Sequence, residues 1–279
     1  MTAGMFHEVT VARRRFLSPG MVRLTFTGEA LDQVRATGIA DEYLRLFFPD
    51  DVTGETVLPI ISADGRWQTP EGKPPVRCST YTVRRFDSRR REMDIDFVVH
   101  AGGLASEWAQ TAELGQSIVI NNPRGLYQPS PDLRWQLLMA DATGLPALAR
   151  LLEQKRDNVF CRVVIEVASD EDKQSLPESA NTQITWIYGG NGVTRSRIGE
   201  VFALIPLPPG AGHIWVSAEQ TAVRAIRKRV KDVLALPAES CKLVAYWIDG
   251  DSDRPQAAAL NADIMQSLSA AWLEEEVDA

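Results

Sequence analysis

The spacing of apolar residues changes near residue 131, and this change restricts the possible folds more than any other feature of the chain. Before it, short segments alternate apolar and polar residues: in "MVRLTFTG", Val22, Leu24 and Phe26 alternate with Arg23 and Thr25. This is the period of a half-buried strand. Six such segments with one helical insert, between residue 7 and about residue 127, predict an antiparallel barrel.

A proline-bearing linker, "YQPSPDLR", precedes a different pattern of continuous apolar runs separated by helical spacings. The runs are "WQLLMA", "RVVIEVAS", "ITWIYGG", "HIWVSAE" and "CKLVAYWI". Apolar strands alternating with helices indicate a parallel sheet covered on both faces. We therefore predict two domains, an antiparallel β domain at residues 1–131 and a Rossmann-like parallel α/β domain at residues 132–279. Leu260, Ile264, Leu268 and Trp272 predict a final amphipathic helix that docks on one of them.

Charge and cysteine usage exclude several classes of function. A net charge of -7 argues against general nucleic-acid binding, so the basic segment "RAIRKRVK" is interpreted as a solvated helix face. The three cysteines form no Cys-x-x-Cys pair, which favours a reducing compartment. The first residues contain no apolar signal segment, and no apolar stretch is long enough for a membrane span. We expect a cytoplasmic protein without nucleic-acid or membrane partners.

The motifs of metal-dependent hydrolysis, serine nucleophiles and P-loops are all missing from the sequence. If the chain is an enzyme, a cofactor must therefore supply the reactivity. One candidate site is the turn in "LLMADATGLPALARLL", where Thr143 can cap a helix, Pro146 fits its first turn and Gly144 allows close approach. Free N–H groups there would face a ligand at the carboxyl edge of the sheet, although an ordinary crossover helix has the same pattern.

Two further stretches suit flat or anionic ligands. In "DFVVHAGGLASEWAQ" a strand ends at His100, two glycines follow, and the helix that begins near Ser106 could hold a phosphate. A strand-end histidine and plain turn glycines would look the same. In "RCSTYTVRRF" strand periodicity places Tyr81 on one face and Thr82 and Arg84 on the other. An edge strand with solvated arginines is the alternative.

The order of these stretches resembles the siderophore-interacting proteins, flavin-dependent ferric-siderophore reductases of the ferredoxin-reductase-like superfamily. The matching residues, spread from residue 7 to about residue 250, are "YTVRRFD", "EMDIDFVVHAGGLASEWA", "PRG" at 123–125, "DATGLPAL", "WVSAE" and "YW". The resemblance implies a Greek-key barrel that binds FAD, followed by a domain that binds NADH or NADPH.

The resemblance also implies roles for individual residues. Tyr81 and Thr82 would lie along the isoalloxazine, Arg84 would hold the FAD phosphates, and no side chain need act as an acid, a base or a metal ligand. The family arginine two places before the tyrosine is replaced by Ser79, so Arg77 could substitute for it at longer reach. The remaining FAD-binding residues would be Val83, Asp96, Val98, His100, Gly102, Gly103, Ala105 and Ser106, and the nucleotide-binding residues Thr143, Gly144, Pro146 and Glu219.

The implied activity is electron transfer from NAD(P)H through FAD to a ferric siderophore, with release of Fe(II). A general flavin reductase or diaphorase, a reductase fed by ferredoxin, and a binding protein without cofactor are the alternatives. Ile248 and Asp249 stand where the family has basic residues, which favours a neutral or hydroxamate siderophore. The acidic segment "ASDEDKQ" slightly favours NADH over NADPH. We expect a monomer.

Overall fold

The chain forms two compact units in the computed structural model, which describes residues 5–62 and 66–272. The first unit ends at Leu126 and the second begins at Tyr127. The boundary predicted at residue 131 lies a few residues inside the second unit.

The first unit is built from antiparallel strands and one helix. In chain order these are β1 (Phe6–Ser18), β2 (Met21–Thr27), β3 (Tyr43–Phe47), β4 (Ile60–Ile61), β5 (Trp67–Gln68), β6 (Cys78–Thr82), β7 (Arg85–Asp87), β8 (Glu92–Val98), α1 (Leu104–Thr111) and β9 (Ser117–Asn121). Strands β4 and β5 form a small hairpin, and the other seven form one sheet in the order β6-β3-β9-β1-β2-β8-β7.

This sheet closes on itself, which confirms the predicted barrel. Its two outermost strands, β6 and β7, are consecutive in the chain and are separated only by Val83 and Arg84. The rings of Tyr81 on β6 and Phe97 on β8 meet with centroids 4.4 Å apart. The two end strands have only five and three residues, so little strand edge is left unpaired.

Alternating side chains divide the barrel strands into an apolar interior and a polar exterior. Leu24, Phe26, Ile95 and Phe97 are fully buried in one core cluster. Helix α1 packs on this core through Trp108, whose ring is stacked on Phe26 at 6.3 Å. The start of α1 lies close to the carboxyl end of β8, because only five residues separate the two elements.

The second unit has a parallel sheet flanked by helices, as predicted. Its elements are β10 (Trp135–Asp141), α2 (Leu145–Glu153), β11 (Phe160–Val167), β12 (Thr182–Tyr188), α3 (Ile198–Phe202), β13 (Gly212–Glu219), α4 (Gln220–Arg229), β14 (Cys241–Trp247) and α5 (Ala262–Ser269). The strand order is β12-β11-β10-β13-β14, so the direction of winding reverses between β10 and β13. In open α/β sheets such a reversal marks the crevice where ligands bind.

The final helix, α5, is shorter than the spacing of its apolar residues predicts. Leu268 is fully buried on the second unit, whereas Trp272 lies beyond the end of the helix. The buried Arg162 of β11 donates to the carbonyl oxygens of Leu268, Ala270 and Ala271, and these bonds accompany the change from helix to extended chain. Within residues 5–62 and 66–272, no helix is long and apolar enough to cross a membrane.

Candidate functional site

Tyr81 lies at the end of β6 and faces the barrel interior. It is paired with Leu44 on β3 and packs against Phe97. Burial raises the pKa of Tyr81 to about 12, so its phenol remains protonated at physiological pH. A protonated phenol can donate a hydrogen bond to a ligand, and its ring offers a flat apolar surface.

Thr82 is the next residue along the strand and carries an unsatisfied polar group. Its side chain is buried, and its hydroxyl oxygen has no hydrogen-bond partner among the described residues. Leaving a buried hydroxyl unpaired costs about 1–3 kcal/mol. A polar ring edge placed beside Thr82 would satisfy this hydroxyl, so Thr82 fits the isoalloxazine contact that the resemblance implies for it.

The link between β6 and β7 has a fixed backbone. Val83 is buried and donates its N–H to Glu42, and the N–H of Arg84 donates to the carbonyl oxygen of Asp94; both distances are 2.9 Å. The backbone bonds hold the half-buried Arg84 two residues after Thr82, and its contact with the FAD phosphates stays a prediction.

Arg77 points elsewhere than the substitution hypothesis requires. Its guanidinium forms an ion pair with Asp51 at 2.7 Å and donates to the carbonyl oxygen of Pro49 at 3.1 Å. Ser79, which occupies the family arginine position, is paired with Leu46 across the ladder. Replacement of the missing arginine by Arg77 thus stays a prediction, and it requires the ion pair with Asp51 to open.

Asp96 and Val98 lie on β8, but they face different surroundings. The carboxylate of Asp96 is buried and accepts two hydrogen bonds from Arg23, at 2.6 and 2.8 Å. Strand alternation points Asp96 away from the face that carries Phe97 and Tyr81. Asp96 therefore joins β8 to β2 through its ion pair with Arg23. A direct contact between Asp96 and the cofactor stays a prediction. Val98 is half-buried at the end of the strand.

The turn between β8 and α1 is closed by its own side chains. The Ser106 hydroxyl accepts from the N–H of His100 and donates to its carbonyl oxygen, both at 2.8 Å. Gly103 is the N-cap of α1, and a Cβ there would collide with the imidazole of His100. Gly102 has a φ of 78° and its N–H donates to Glu107 at 2.9 Å. The carboxylate of Glu107 therefore already accepts from the Gly102 N–H, one of the amides that a phosphate would use. Ala105, in the first turn of α1, is buried.

The strand-to-helix turn of the second unit differs from its prediction. Thr143 does not cap α2: the N-cap is Gly144, and the Thr143 hydroxyl donates to Asp141 at 2.5 Å. The N–H of Thr143 also donates to Asp141, that of Gly144 to the Asp141 carbonyl oxygen, and that of Ala142 to Asn191. The expected free amides at 142–144 are thus internally bonded, because the buried Asp141 and a distant asparagine take them.

Gly144 nevertheless allows the close backbone approach that was predicted for this turn. A Cβ at Gly144 would collide with the carbonyl oxygen of Ser217 on β13, so only glycine lets the turn lie against the next strand. Pro146 is within the first turn of α2, as predicted. The hydroxyl of Ser217 is buried and unpartnered among the described residues.

Glu219 caps a helix in this structure. One carboxylate oxygen accepts from the N–H groups of Thr221 and Ala222, at 2.6 and 3.2 Å, at the start of α4. Capping satisfies two orphan donors and places a negative charge at the positive end of the helix dipole. Nucleotide binding by Glu219 remains a prediction.

Sequence reasoning assigned no role to Glu166 and Asn191, which lie at the same edge of the sheet, and it included Asp141 and Trp247 only within the matched segments "DATGLPAL" and "YW". Asp141 accepts from Trp247 Nε1 at 2.7 Å, which joins the ends of β10 and β14. Glu166 on β11 is fully buried, and burial raises its pKa to about 7. Asn191 lies in the glycine-rich loop after β12. The available signals were acidic residues inside apolar runs and the "GGNG" segment.

Comparison with known proteins gives matches over nearly the whole chain. Residues 10–127 match the model of the siderophore-interacting FAD-binding domain, and residues 133–250 match that of the siderophore-interacting protein. The NADPH-dependent ferric-chelate reductase of Escherichia coli is 32% identical, with 87% of this chain and 92% of that protein covered. The ferric vibriobactin reductase of Vibrio cholerae is 28% identical, with 86% and 89% covered. A siderophore utilization protein from T. fusca has a crystal structure that superposes with a TM-score of 0.78 at 30% identity, covering 91% of this chain and 96% of that one.

Proposed function

Because the chain belongs to the siderophore-interacting protein family, we propose that it is an FAD-dependent reductase that passes electrons from NADH or NADPH to ferric siderophores in the cytoplasm. The observation that carries the proposal is the buried hydroxyl of Thr82, which is unpartnered among the described residues and follows Tyr81 directly in the chain. Two relatives that cover most of the chain are named as ferric-chelate and ferric vibriobactin reductases.

The residues of the barrel would bind and orient the cofactor. When bound, FAD supplies the conversion of a two-electron donor into single electrons for iron. Tyr81 would provide a flat surface and a hydrogen-bond donor, Thr82 would satisfy its hydroxyl on the ring edge, and Arg84 would neutralise phosphate. The His100–Ser106 turn would meet the pyrophosphate at the start of α1 only after the carboxylate of Glu107 releases the N–H of Gly102.

The iron chelate would be neutral or cationic, as in ferric hydroxamates. Supporting this, Ile248 is 65% exposed and Asp249 follows it at the end of β14. Arg254 pairs with Asp249 at 3.2 Å and with Asp251 at 3.5 Å, so it is already neutralised within this segment. With Asp253 also present, the segment 249–254 is net acidic and would repel a trianionic catecholate chelate.

The proposal is tested by anaerobic stopped-flow spectroscopy of the purified flavoprotein. Photochemically reduced protein is mixed with a neutral ferric trihydroxamate, an anionic ferric tricatecholate, a quinone dye and oxygen. We expect the trihydroxamate to oxidise the flavin fastest. Faster oxidation by the tricatecholate would contradict the substrate class, and faster oxidation by the dye or oxygen would favour a general diaphorase.

The electron donor is measured separately from the acceptor. NADH, NADPH and reduced ferredoxin are each mixed with the oxidised protein, and flavin bleaching is followed. We expect a nicotinamide to be the efficient donor. Bleaching by ferredoxin alone would contradict this, and protein purified without flavin that binds none on titration would contradict the proposed function as a whole.

A further inference from the structure

One side chain connects three strand ends at the carboxyl edge of the parallel sheet. Asn191 lies in the loop 189–192 that follows β12. Its Oδ1 accepts from the N–H of Ala142 after β10 at 2.9 Å. Its Nδ2 donates to the carbonyl oxygens of Glu166 on β11 and of Gly189, at 3.1 and 2.9 Å. All three polar positions of the amide are therefore used, each on a different segment.

The backbone of this loop is unusual. Asn191 has a φ of 53°, and Gly189, Gly190 and Gly192 have φ values of 136°, 61° and 77°. A left-handed conformation costs a residue with a side chain about 1 kcal/mol or more, although asparagine tolerates it better than most. The three hydrogen bonds of the Asn191 amide offset this cost and explain why the loop has an asparagine among its glycines.

Beneath the loop lies a buried carboxyl group with one unpaired oxygen. Glu166 Oε1 accepts from the N–H of Arg197 at 2.7 Å, while Oε2 is buried and has no hydrogen-bond partner among the described residues. A Cβ at Gly190 would collide with this second oxygen, so the loop backbone lies directly against the carboxyl group. The loop is thus held closely over a buried polar group, and Asn191 is what ties it to the neighbouring strands.

The position of this loop connects it to ligand binding. Ligands of open α/β sheets bind at the carboxyl edge where the strand order reverses, here between β10 and β13. The 142–144 turn lies at this place, but its amides are internally bonded. The turn can therefore serve a dinucleotide only through its shape, and Asn191 helps to hold that shape from a loop 49 positions away.

We propose that Asn191 is a positioning residue for the nicotinamide nucleotide, holding the 142–144 turn and loop 189–192 in the arrangement that accepts the dinucleotide. The proposal rests on the proposed function, since it presupposes a nicotinamide donor. It differs from a phosphate-binding role because Asn191 acts through the turn.

The test uses Asn191→Gly in the full-length holoprotein. Glycine accepts the positive φ, so the variant removes the three side-chain hydrogen bonds with little backbone strain. We expect the dissociation constants of NAD⁺ and NADP⁺, measured by calorimetry, to rise at least about 10-fold for whichever nucleotide the wild type binds. The KM for the reduced nucleotide should rise in parallel, while kcat at saturation and oxidation of the photoreduced protein by ferric trihydroxamate stay unchanged.

Two further variants test whether the loss of nucleotide affinity comes from the hydrogen bonds of Asn191. Asn191→Asp keeps the acceptor for Ala142 but loses both donors, so we expect an intermediate loss of nucleotide affinity. Asn181→Ala is the matched control: Asn181 makes one side-chain bond, to the Asp157 carbonyl oxygen at 2.8 Å, before β12 begins. It should bind nucleotide as the wild type does.

An Asn191→Gly protein with a lowered unfolding midpoint but unchanged nucleotide affinity would overturn the proposal and leave a merely structural role. If this variant does not fold, unchanged affinity in Asn191→Asp overturns it instead. The wild-type protein shows whether the proposed function itself is wrong. If neither NADH nor NADPH binds to the wild type or reduces its flavin, both the proposed electron donor and this inference are wrong.

Discussion

At the scale of single residues, unpaired polar atoms indicate where ligands belong. Thr82 keeps a buried hydroxyl that is unpartnered within the described residues, whereas the equally buried Thr25 donates its hydroxyl to Asp94 at 2.7 Å. Both threonines lie on barrel strands, so the difference reflects the surroundings and not the residue type. The proposed explanation for the unpaired hydroxyl of Thr82 is a partner that arrives with the cofactor.

Thr82→Val tests this explanation. Valine has nearly the same shape and removes an unsatisfied group, so the apoprotein should become more stable by about 1 kcal/mol. FAD affinity should fall by about 5- to 10-fold, because a bond to the ring is lost. Urea unfolding of the apoprotein and FAD titration measure the two quantities. Thr25→Val is the control and should lose stability; a Thr82→Val protein that behaves like it would contradict the explanation.

Arg84 and Arg77 differ in their position relative to the Tyr81–Thr82 pair: Arg84 comes two residues after Thr82, and Arg77 comes four residues before Tyr81. Arg77 is paired with Asp51, so Arg77→Ala should change FAD affinity less than about threefold. Arg84→Ala should weaken it about 10- to 100-fold, the value of a charge-assisted hydrogen bond to phosphate. Equilibrium dialysis of FAD decides between them. An equal loss in both variants would instead support Arg77 as the substitute for the arginine missing at Ser79.

Glu166 should give the second unit a distinct pH dependence. Burial raises the pKa of Glu166 to about 7 in the folded protein, above the ordinary value of 4.5. The charge of Asp141 raises it further, and the Arg197 and Ser196 contacts oppose the shift. Between these values the folded chain holds a proton that the unfolded chain has lost, so stability falls as pH rises from about 4.5 to about 7 and then levels off.

Glu166→Gln removes the carboxyl group that titrates. Relative to the wild type, the variant should gain up to about 3 kcal/mol of stability as pH rises through that window. Denaturant titrations at several pH values measure the difference. Parallel stability curves for the two proteins would show that the carboxyl group titrates normally.

At the scale of elements, three glycines lie where the backbone closely approaches atoms of another segment or of a nearby side chain. Gly103 lies against the imidazole of His100, Gly144 against the carbonyl oxygen of Ser217, and Gly190 against the carboxyl group of Glu166. Each is at a junction between a strand and the segment after it. These junctions, and not the strands, shape the edges where the cofactor and the nucleotide are proposed to bind.

Gly190→Ala should destabilise the protein more than Gly192→Ala does. Both glycines have positive φ, but only a Cβ at residue 190 meets a buried carboxyl group; at residue 192 the nearest atom is the Arg254 guanidinium at 3.9 Å. We expect losses of about 2–4 and about 1–2 kcal/mol, respectively. Chemical denaturation checks this, and equal losses would mean that the loop moves away from Glu166 without cost.

At the scale of the whole molecule, the two units have separate hydrophobic cores. Phe26, Ile95 and Phe97 belong to the first, and Leu137, Val216 and Leu268 to the second. Trp272 completes the second core: its ring centroid is 5.3 Å from that of Trp135, and its Nε1 donates to the Pro206 carbonyl oxygen at 2.5 Å. The segment that ends at Trp272 therefore contributes to folding of the second unit.

Trp272→Ala should destabilise the second unit alone. Loss of a buried tryptophan costs about 3–5 kcal/mol, and the hydrogen bond to Pro206 is lost with it. FAD affinity should be unchanged, because the residues proposed to bind FAD lie in the first unit. Urea unfolding combined with FAD titration measures both properties. A variant that lost FAD affinity together with stability would show that the two units do not fold independently.

The periodicity of the sequence was sufficient for the barrel, the parallel sheet and the positions of Tyr81, Thr82 and Gly144, because strand burial and turn chemistry are local properties. Local pattern was not sufficient for the bonds of Asp141, which involve Trp247, or for those of Asn191, which involve Ala142. These partners are 106 and 49 positions apart in the chain. Strand order alone brings them together, so only the tertiary structure decides which backbone amides are left for a ligand and which are filled from within.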